Sequence, residues 1–348
     1  MKRLIPRVGL AAYAAALAVF CSSTDVAIAQ DKKLVLRVAD SFPVTHYTPP
    51  HVKYWMEQVK TLSGGSVDFE YYPSEQMGKA KDLLSNIQSG VIDIGYVAPS
   101  YVSDKMPLSG VVHLPGTFQK SCQGSFAYWK LARDEGLIAR AELASNGVRL
   151  LFTAALQPYQ VFSTTRPLDS AKAIEGMKLR STGGVMDLTV RKVKAVPIQM
   201  ASPEIHQSLS RGTLDGGVFP FTSVFSYGWG TLVKYATIGE NFGSFLVTYM
   251  ISERKWKELS PDVQKAMIEV GEATTRRHCI QLEQDELQDI EKLRKLGVTI
   301  AELPKEAKEA IAKSISSVAE DWAQSLDKRG KPGSEVLKAY IDAVNQSK

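Results

Sequence analysis

Short apolar runs alternate with segments of helical spacing along the first two-thirds of the chain. In the first such segment, apolar residues recur from Val52 through Trp55 to Val59, and Pro49 and Pro50 occupy a first turn that tolerates proline. Strands with interleaved helices are typical of α/β proteins with largely parallel sheets. The predicted strands are 34–39, 67–72 and 92–97, and the helices between them are 48–62 and 79–89.

Two segments of the chain share one order of features. "SNIQSGVIDIGYV" (85–97) and "QSLSRGTLDGGVF" (207–219) each contain a helix end, a glycine and a short strand with an aspartate, Asp93 or Asp215. The repeat suggests two similar lobes that face each other across a cleft, although this order also recurs by chance in α/β proteins. We expect the two aspartates to accept hydrogen bonds from backbone amides rather than to form an acid/base pair.

Beyond residue 252 the pattern becomes helical and charged. Residues 261–296 and 305–327 each predict one long helix, "DKRGKPG" predicts a loop, and a short helix is expected to close the chain. Helices of this length are expected to brace the two lobes.

The first 29 residues predict a cleaved secretory signal peptide. Lys2, Arg3 and Arg7 precede an apolar run at 10–20 that is too short to span a bilayer, and "AIA" ending at residue 29 gives a cleavage pattern. The alternative is a lipid anchor on Cys21, which directly follows the apolar run. A small residue would be needed before that cysteine, but Phe20 stands there. The mature protein is therefore expected in the periplasm.

Charge and cysteine content narrow the class of protein further. Of the 42 Lys and Arg and 37 Asp and Glu residues, three basic and one acidic lie in the predicted leader, which leaves a formal charge of +3. The basic residues are dispersed, so no nucleic-acid partner is predicted. Cys122 and Cys279 can pair in an oxidising compartment or stay free, and neither has the C-x-x-C spacing of a metal or redox site.

Sequence motifs of catalysis are absent from the chain. It contains no G-x-G-x-x-G, Walker A, H-E-x-x-H or G-x-S-x-G motif, and its five histidines are scattered. We therefore predict no cofactor and no metal, and the sequence favours a binding protein over an enzyme.

The segment "GMKLRSTGG" (176–184) places a permanent positive charge at the end of a predicted strand. The carboxyl end of a parallel strand faces the crevice where open α/β sheets bind ligands, and the guanidinium fork of Arg180 matches a carboxylate. Residues 181–184 then open a helix whose free N–H groups also favour an anion. The alternative is that Arg180 pairs with Asp187 or Glu175 and only holds a loop.

Four fragments, in this order, resemble one protein family. They are "YPSEQMGKAKDLLSNIQSGVIDIGYV", "RPLDSAKAIEGMKLRS", "PEIHQSLSRGTLDGG" and "ERKWKELSPDVQKAM". Together they are similar to the periplasmic solute-binding subunits of tripartite ATP-independent periplasmic (TRAP) transporters, of the dicarboxylate-binding-protein type. The similarity extends over essentially the whole mature chain.

The resemblance implies a two-lobed α/β periplasmic binding protein with crossover strands, a central ligand cleft and long C-terminal bracing helices. Lobe I is expected to comprise residues 30–156 with about 246–285, and lobe II residues 157–245 with about 286–348. A monomer that closes on an organic anion and delivers it to membrane permease subunits is expected, with no covalent chemistry. A sensor that presents its bound solute to a membrane kinase is the alternative use.

In that family the arginine that matches Arg180 binds the ligand carboxylate. Sialic-acid-binding relatives have a second arginine where Gln160 stands and an asparagine where Phe219 stands. With Tyr159 and Phe221 nearby, we expect an apolar wall, and we expect Gln160 to hydrogen-bond the ligand. This departure predicts a monocarboxylate with an apolar or aromatic portion, because an aromatic wall is costly for a multiply charged ligand. A C4-dicarboxylate is the alternative.

Three further residues occupy positions where this family lines its cleft, although each can equally be core packing. They are His46, Tyr47 and Tyr96.

Overall fold

A computed structural model describes residues 34–347, so the signal peptide predicted over residues 1–29 lies outside the described part of the chain. The strands, in chain order, are β1 (Leu34–Ala39), β2 (Val67–Tyr72), β3 (Ile94–Val97), β4 (Val148–Ala155), β5 (Gln160–Ser163), β6 (Lys178–Ser181), β7 (Val196–Gln199), β8 (Gly216–Phe219), β9 (Tyr235–Thr237), β10 (Leu246–Ser252) and β11 (Thr299–Ala301).

Helices fill most of the remaining sequence. The α-helices are α1 (Thr48–Leu62), α2 (Leu83–Ser89), α3 (Ser121–Ala132), α4 (Ala171–Ile174), α5 (Val185–Lys192), α6 (Ile205–Ser210), α7 (Glu253–Lys257), α8 (Pro261–Lys295), α9 (Lys305–Ile315), α10 (Val318–Asp327) and α11 (Gly333–Gln346). Short 3-10 helices include Pro99–Val102, Leu108–His113, Ser202–Glu204 and Phe221–Ser223.

The elements with strong periodicity form where the pattern predicts them. β1, α1 and β2 have the predicted bounds, and α8 ends one residue early. The prediction that 79–89 is helical is wrong in its first turn, because the Glu75 carboxylate accepts the Ala80 N–H (3.0 Å) and holds this stretch in turns. The predicted strand 92–97 begins two residues late, at Ile94.

The single helix predicted over 305–327 is wrong, because the chain breaks into α9 and α10 at two serines. Ser316 Oγ donates to the Lys313 carbonyl (2.8 Å), and Ser317 Oγ bonds the Asp321 carboxylate (3.0 Å). Serine side chains that bond nearby backbone and side-chain groups compete with helix continuation.

Two sheets organise the fold, and their halves repeat. The first sheet has the order β2-β1-β3-β10-β4 and the second the order β11-β9-β5-β8-β6-β7. The parallel triplet β2-β1-β3 matches β7-β6-β8, and each triplet is followed by an antiparallel strand, β10 or β5. The internal repeat predicted from the sequence is therefore a repeat of topology, and the α/β, two-lobed prediction is confirmed.

The two aspartates of the repeat make equivalent bonds, as expected. The Asp93 carboxylate accepts the Arg37 N–H (2.9 Å) and the Asp93 N–H donates to the Arg37 carbonyl (3.1 Å). The Asp215 carboxylate accepts the Lys178 N–H (2.8 Å) and its own N–H donates back to the Lys178 carbonyl (2.9 Å). Asp93 thus fixes β3 beside β1, and Asp215 fixes β8 beside β6, the central strand of each triplet.

The chain crosses between the two sheets at β5, at β10 and again, after α8, at β11. β4 lies in the first sheet and β5, four residues later, in the second, whereas β10 returns to the first. Helix α8 packs on α1, α3 and β4 of the first lobe and also on β11 and the 3-10 helix Phe221–Ser223. The assignment of chain segments to lobes given above stays a prediction.

A disulfide joins α3 to α8. Cys122 and Cys279 are bonded, with their Cα atoms 4.9 Å apart, although 157 residues separate them in sequence. The question that the sequence left open is thereby answered, and the long helix is covalently attached to the first lobe.

Candidate functional site

Arg180 is the third residue of β6 and is completely buried. Its strand runs between β7 and β8, where Arg180 is paired with Ile198 and Gly217. A side chain at Gly217 would place its Cβ 3.1 Å from the Arg180 Cβ and 2.8 Å from the Trp229 ring. Glycine at 217 therefore makes room for both the arginine stem and the indole.

The guanidinium of Arg180 is only partly hydrogen-bonded. Nε donates to the Met200 carbonyl (3.2 Å), and Nη2 donates to the Tyr101 hydroxyl (3.2 Å) and to Ser202 Oγ (3.2 Å). Nη1 is buried and has no acceptor in hydrogen-bond geometry among the described residues, although the Tyr159 hydroxyl lies close enough to Arg180 to interact with it. Of the five N–H donors of the group, the two on Nη1 are thus unpaired.

No carboxylate of residues 34–347 forms an ion pair with Arg180. The two acids considered in the sequence are engaged elsewhere: Ser181 Oγ bonds the Asp187 carboxylate, and Glu175 pairs with Lys194 (2.9 Å). The alternative that Arg180 is a loop-holding ion pair is therefore wrong. A buried cation without a counter-charge is costly, and a carboxylate at Nη1 would relieve that cost.

An aromatic wall lies beside the guanidinium. The Phe219 ring centroid is 5.3 Å from the Arg180 Cζ, and the ring stacks on Trp229 at 4.2 Å and 11°. Tyr159 and Tyr227 each lie 6.1 Å from Phe219. All four rings are buried, so this side of Arg180 is lined by aromatic side chains, and the Tyr159 hydroxyl lies near the guanidinium. Phe221 packs edge-on against Phe162 (5.2 Å) instead and belongs to the core.

The residues predicted from the first lobe form a second aromatic group. His46 stacks on Phe42 (4.5 Å), lies 3.9 Å from the Tyr47 ring and reaches Tyr227 of the first group at 5.5 Å. Tyr96 packs on Phe42 at 4.6 Å. The structure thus places His46, Tyr47 and Tyr96 in one group, and the contact with Tyr227 links that group to the wall around Arg180.

Burial keeps the histidine and the tyrosines of this region uncharged. It lowers the pKa of His46 to about 3, and His46 Nδ1 accepts the Thr48 N–H (3.2 Å), so the proton of the neutral ring is on Nε2. Burial raises the pKa of Tyr96 well above its ordinary value. Burial also raises the pKa of Tyr159, and the charge of Arg180 partly offsets the rise.

One buried acid lies behind the second aromatic group. The Asp40 carboxylate accepts hydrogen bonds from the hydroxyls of Tyr71 (2.5 Å) and Tyr249 (2.6 Å) and from the Phe42 N–H (3.0 Å). Burial raises the pKa of Asp40 to about 6 despite these bonds.

Gln160 is not brought together with Arg180. Its Nε2 donates to the Glu240 carbonyl (2.7 Å), and its Oε1 accepts from Thr237 Oγ1 (2.9 Å). Protein groups thus already occupy both ends of the Gln160 amide.

Sequence reasoning missed several residues of this site. Tyr101 and Ser202 bond Arg180, and Tyr227 and Trp229 complete the aromatic wall. A usable signal existed for Tyr101, which follows β3 at the carboxyl end of a parallel strand. Thr182 Oγ1 and Trp229 Nε1 are further buried polar atoms without a hydrogen-bond partner among the described residues.

Two lobes linked by crossover strands, with a buried and unbalanced arginine bonded from both sides, define a solute-binding protein. The chain belongs to the family "Bacterial extracellular solute-binding protein, family 7", whose model matches residues 39–325. Members of this family are periplasmic solute-binding proteins of TRAP transporters, which bind small organic anions and work with membrane permease components. No helix within residues 34–347 has both the length and the apolar character of a membrane span.

Known proteins resemble the chain in sequence and in fold. The C4-dicarboxylate-binding periplasmic protein of Rhodobacter capsulatus is 26% identical over 279 residues, which is 78% of this chain and 80% of that protein. A TRAP solute-binding protein of Rhodoferax ferrireducens, solved with copurified benzoate, superposes with a TM-score of 0.82 at 20% identity over 90% of this chain and 98% of that one. A TRAP periplasmic solute-binding protein of Bordetella bronchiseptica, solved with mandelate, superposes with a TM-score of 0.82 at 21% identity. The superposition covers 90% of this chain and 100% of that one.

Proposed function

We propose that this protein is the extracytoplasmic receptor of a TRAP transporter, that it binds an organic acid through Arg180, and that the acid is a monocarboxylate with an apolar or aromatic portion. The ligand carboxylate would accept hydrogen bonds from the two unpaired Nη1 protons. The loaded receptor would then deliver the acid to the membrane permease subunits, without covalent chemistry.

One observation carries the carboxylate assignment: Arg180 is completely buried, has no ion pair within residues 34–347, and leaves Nη1 without a partner. In a protein a buried charge is normally paired or hydrogen-bonded throughout. A single carboxylate supplies both the counter-charge and the acceptors that Nη1 lacks.

The surroundings of Arg180 support one carboxylate rather than two. His46 is neutral and the other neighbours named above are uncharged phenols and rings, so none of these groups offers a second positive charge. A second carboxylate would lose its hydration next to Phe219 and Trp229 without an ionic partner. The benzoate and mandelate found in proteins of the same fold are acids of the proposed kind.

A C4-dicarboxylate remains the second candidate, because the Rhodobacter capsulatus relative binds such acids. Neutral donors are available for a second carboxylate, namely the His46 Nε2–H and the buried Trp229 Nε1–H. A sensor that presents its ligand to a membrane kinase is compatible with the same site. Deletion of the permease genes separates the two uses, since a transport receptor then loses uptake of its acid.

A melting-temperature screen of residues 30–348 tests the proposal. The panel comprises benzoate, mandelate, succinate and malate. At a hundred times its Kd, a ligand adds about 2.7 kcal/mol to the free energy of unfolding, which raises the melting temperature by several degrees. We expect an aromatic monocarboxylate to give the largest rise and Arg180→Ala to abolish it.

Arg149→Ala is the matched control, because Arg149 also lies over an aromatic ring (Trp256, 5.0 Å) but pairs with Glu253 (2.9 Å) away from the site. The full rise should remain in that variant. A full rise in Arg180→Ala would refute the site. A preference for succinate or malate would refute the monocarboxylate part and leave the receptor assignment intact.

A further inference from the structure

A hydrogen-bonded triangle connects the two lobes beside Arg180. Tyr101 lies in the 3-10 helix Pro99–Val102, directly after β3 of the first sheet, whereas Ser202 follows β7 of the second sheet. The Tyr101 hydroxyl is 3.2 Å from Arg180 Nη2, 3.1 Å from Ser202 Oγ and 3.1 Å from the Ser202 N. Ser202 Oγ is in turn 3.2 Å from Arg180 Nη2.

These contacts use the whole hydrogen-bonding capacity of the Tyr101 hydroxyl. A phenol has one proton to donate and can accept from two donors. Tyr101 accepts from Arg180 Nη2 and from the Ser202 N–H, which leaves its own proton for Ser202 Oγ. Every partner of this first-lobe hydroxyl therefore lies on the second lobe.

The same 3-10 helix also contacts the turn that follows β6. A Cβ added at Gly183 would lie 3.1 Å from the Ser100 carbonyl oxygen, and one at Gly184 would lie 3.0 Å from the Ser103 Cβ. Both glycines have positive φ, +89° and +57°, which favours glycine further. The glycine turn thus lets the first lobe approach the backbone next to Arg180, and separation of the lobes would break all of these contacts.

We propose that Tyr101 is a positioning residue: its hydroxyl latches the two lobes together and holds Arg180 so that Nη1 faces the ligand. This inference rests on the proposed function. Protein groups occupy Nε and Nη2, and the ligand would use only Nη1, so the latch and the ligand do not compete for the same protons. The Tyr101 hydrogen bonds and the bond between Nη1 and the ligand carboxylate can therefore exist together in the closed state.

The latch has a kinetic consequence. A contact that exists only between closed lobes acts on ligand release, because the lobes must part before the acid leaves, and it has little influence on entry into open lobes. Loss of the Tyr101 hydroxyl removes a charge-assisted hydrogen bond, which should raise koff by about tenfold or more. The order of preference among acids should stay the same, since Tyr101 bonds the protein rather than the ligand.

The test measures kon and koff by stopped-flow fluorescence with the strongest binder of the benzoate, mandelate, succinate and malate panel. We expect Tyr101→Phe to raise koff about tenfold and to change kon by less than about threefold. Ser202→Ala should also raise koff, and its effect should shrink in the Tyr101→Phe background, because both residues belong to one triangle. Tyr72→Phe is the matched control: its hydroxyl bonds Glu70 (2.9 Å) on the same strand, so both rates should match the wild type.

Each other outcome is decisive. A koff within about twofold of the wild type in Tyr101→Phe refutes the latch, while a loss of binding in Arg180→Ala would still support the proposed function. A changed order of preference among acids would make Tyr101 a ligand contact and overturn the positioning role. If no acid of the panel binds the wild type, the proposed function fails, and small-angle X-ray scattering of the ligand-free proteins then decides the latch. A larger radius of gyration in Tyr101→Phe supports it, and an equal radius refutes it.

Discussion

Replacing Arg180 with methionine should affect the ligand-free and the ligand-bound protein differently. Methionine keeps an unbranched stem of similar length and removes the charge. In the ligand-free protein the buried guanidinium has no ion pair among the described residues, so its removal relieves a desolvation cost of several kcal/mol. In the ligand-bound protein the same substitution removes the partner of the carboxylate.

The contacts of Arg180 in the structure show how much stability the substitution by methionine would cost. Without Arg180 the Met200 carbonyl loses its Nε donor, which costs about 1–3 kcal/mol, and the contact with the Phe219 ring at 5.3 Å is worth about 1–2 kcal/mol. Tyr101 and Ser202 still bond each other. Since gains and losses are similar, the ligand-free free energy of unfolding should change by no more than about 1 kcal/mol.

Urea unfolding with and without a saturating acid measures both effects. The wild type should gain about 2.7 kcal/mol at a hundred times Kd, and Arg180→Met should gain nothing. Arg180→Lys should lose most of the gain as well, because the lysine ammonium ends about where the guanidinium carbon lies and does not reach the position of Nη1. A ligand-free loss of more than about 3 kcal/mol in Arg180→Met would show that the protein itself balances this charge and would refute the reasoning.

Three further predictions follow from buried groups. Reduction of the Cys122–Cys279 disulfide, or its replacement by two serines, should lower the free energy of unfolding by about 2–5 kcal/mol in urea titrations, and equal midpoints with and without reductant would contradict this. Because burial raises the pKa of Asp40 from 3.8 to about 6, its contribution to stability is complete below about pH 4 and is lost as the pH rises through about 6. Asp40→Asn should therefore flatten the stability profile between those pH values, and an unchanged slope would argue against the raised pKa. Because burial lowers the pKa of His46 to about 3, Kd should vary by less than about twofold between about pH 5.5 and 8, and calorimetry that finds tenfold tighter binding at the lower pH would contradict a neutral ring.

Local pattern predicted the local elements well and failed where side chains interrupt them. The bounds of β1, α1 and β2 follow from apolar spacing and from proline and glycine signals at their ends. The break between α9 and α10 depends on serine hydroxyls that can bond either backbone or water, and spacing does not distinguish the two. The late start of α2 depends in the same way on one glutamate.

In the candidate site, too, local signals could be predicted and long-range contacts could not. Arg180 could be selected from the sequence because a cation at the end of a parallel strand is a local signal. The role of Gln160 could not, since its partner Thr237 is 77 residues away and reaches it only through the pairing of β5 with β9. Tyr101 and Ser202 are separated by 101 residues and meet only when two lobes come together. Their contact depends on the packing of one lobe on the other, which no local stretch of sequence contains.

The crossover strands have a consequence for how the protein folds. β10 fills the gap between β3 and β4, and its Thr248 bonds the Val97 carbonyl across 151 residues of chain. The first sheet therefore cannot be completed until five of the six strands of the second sheet have been synthesised. Contacts of such long range make folding slow. The first lobe cannot be cut out by ending the chain after β4, because its sheet would then lack β10, the strand between β3 and β4. The strands that connect the lobes also make them one cooperative folding unit.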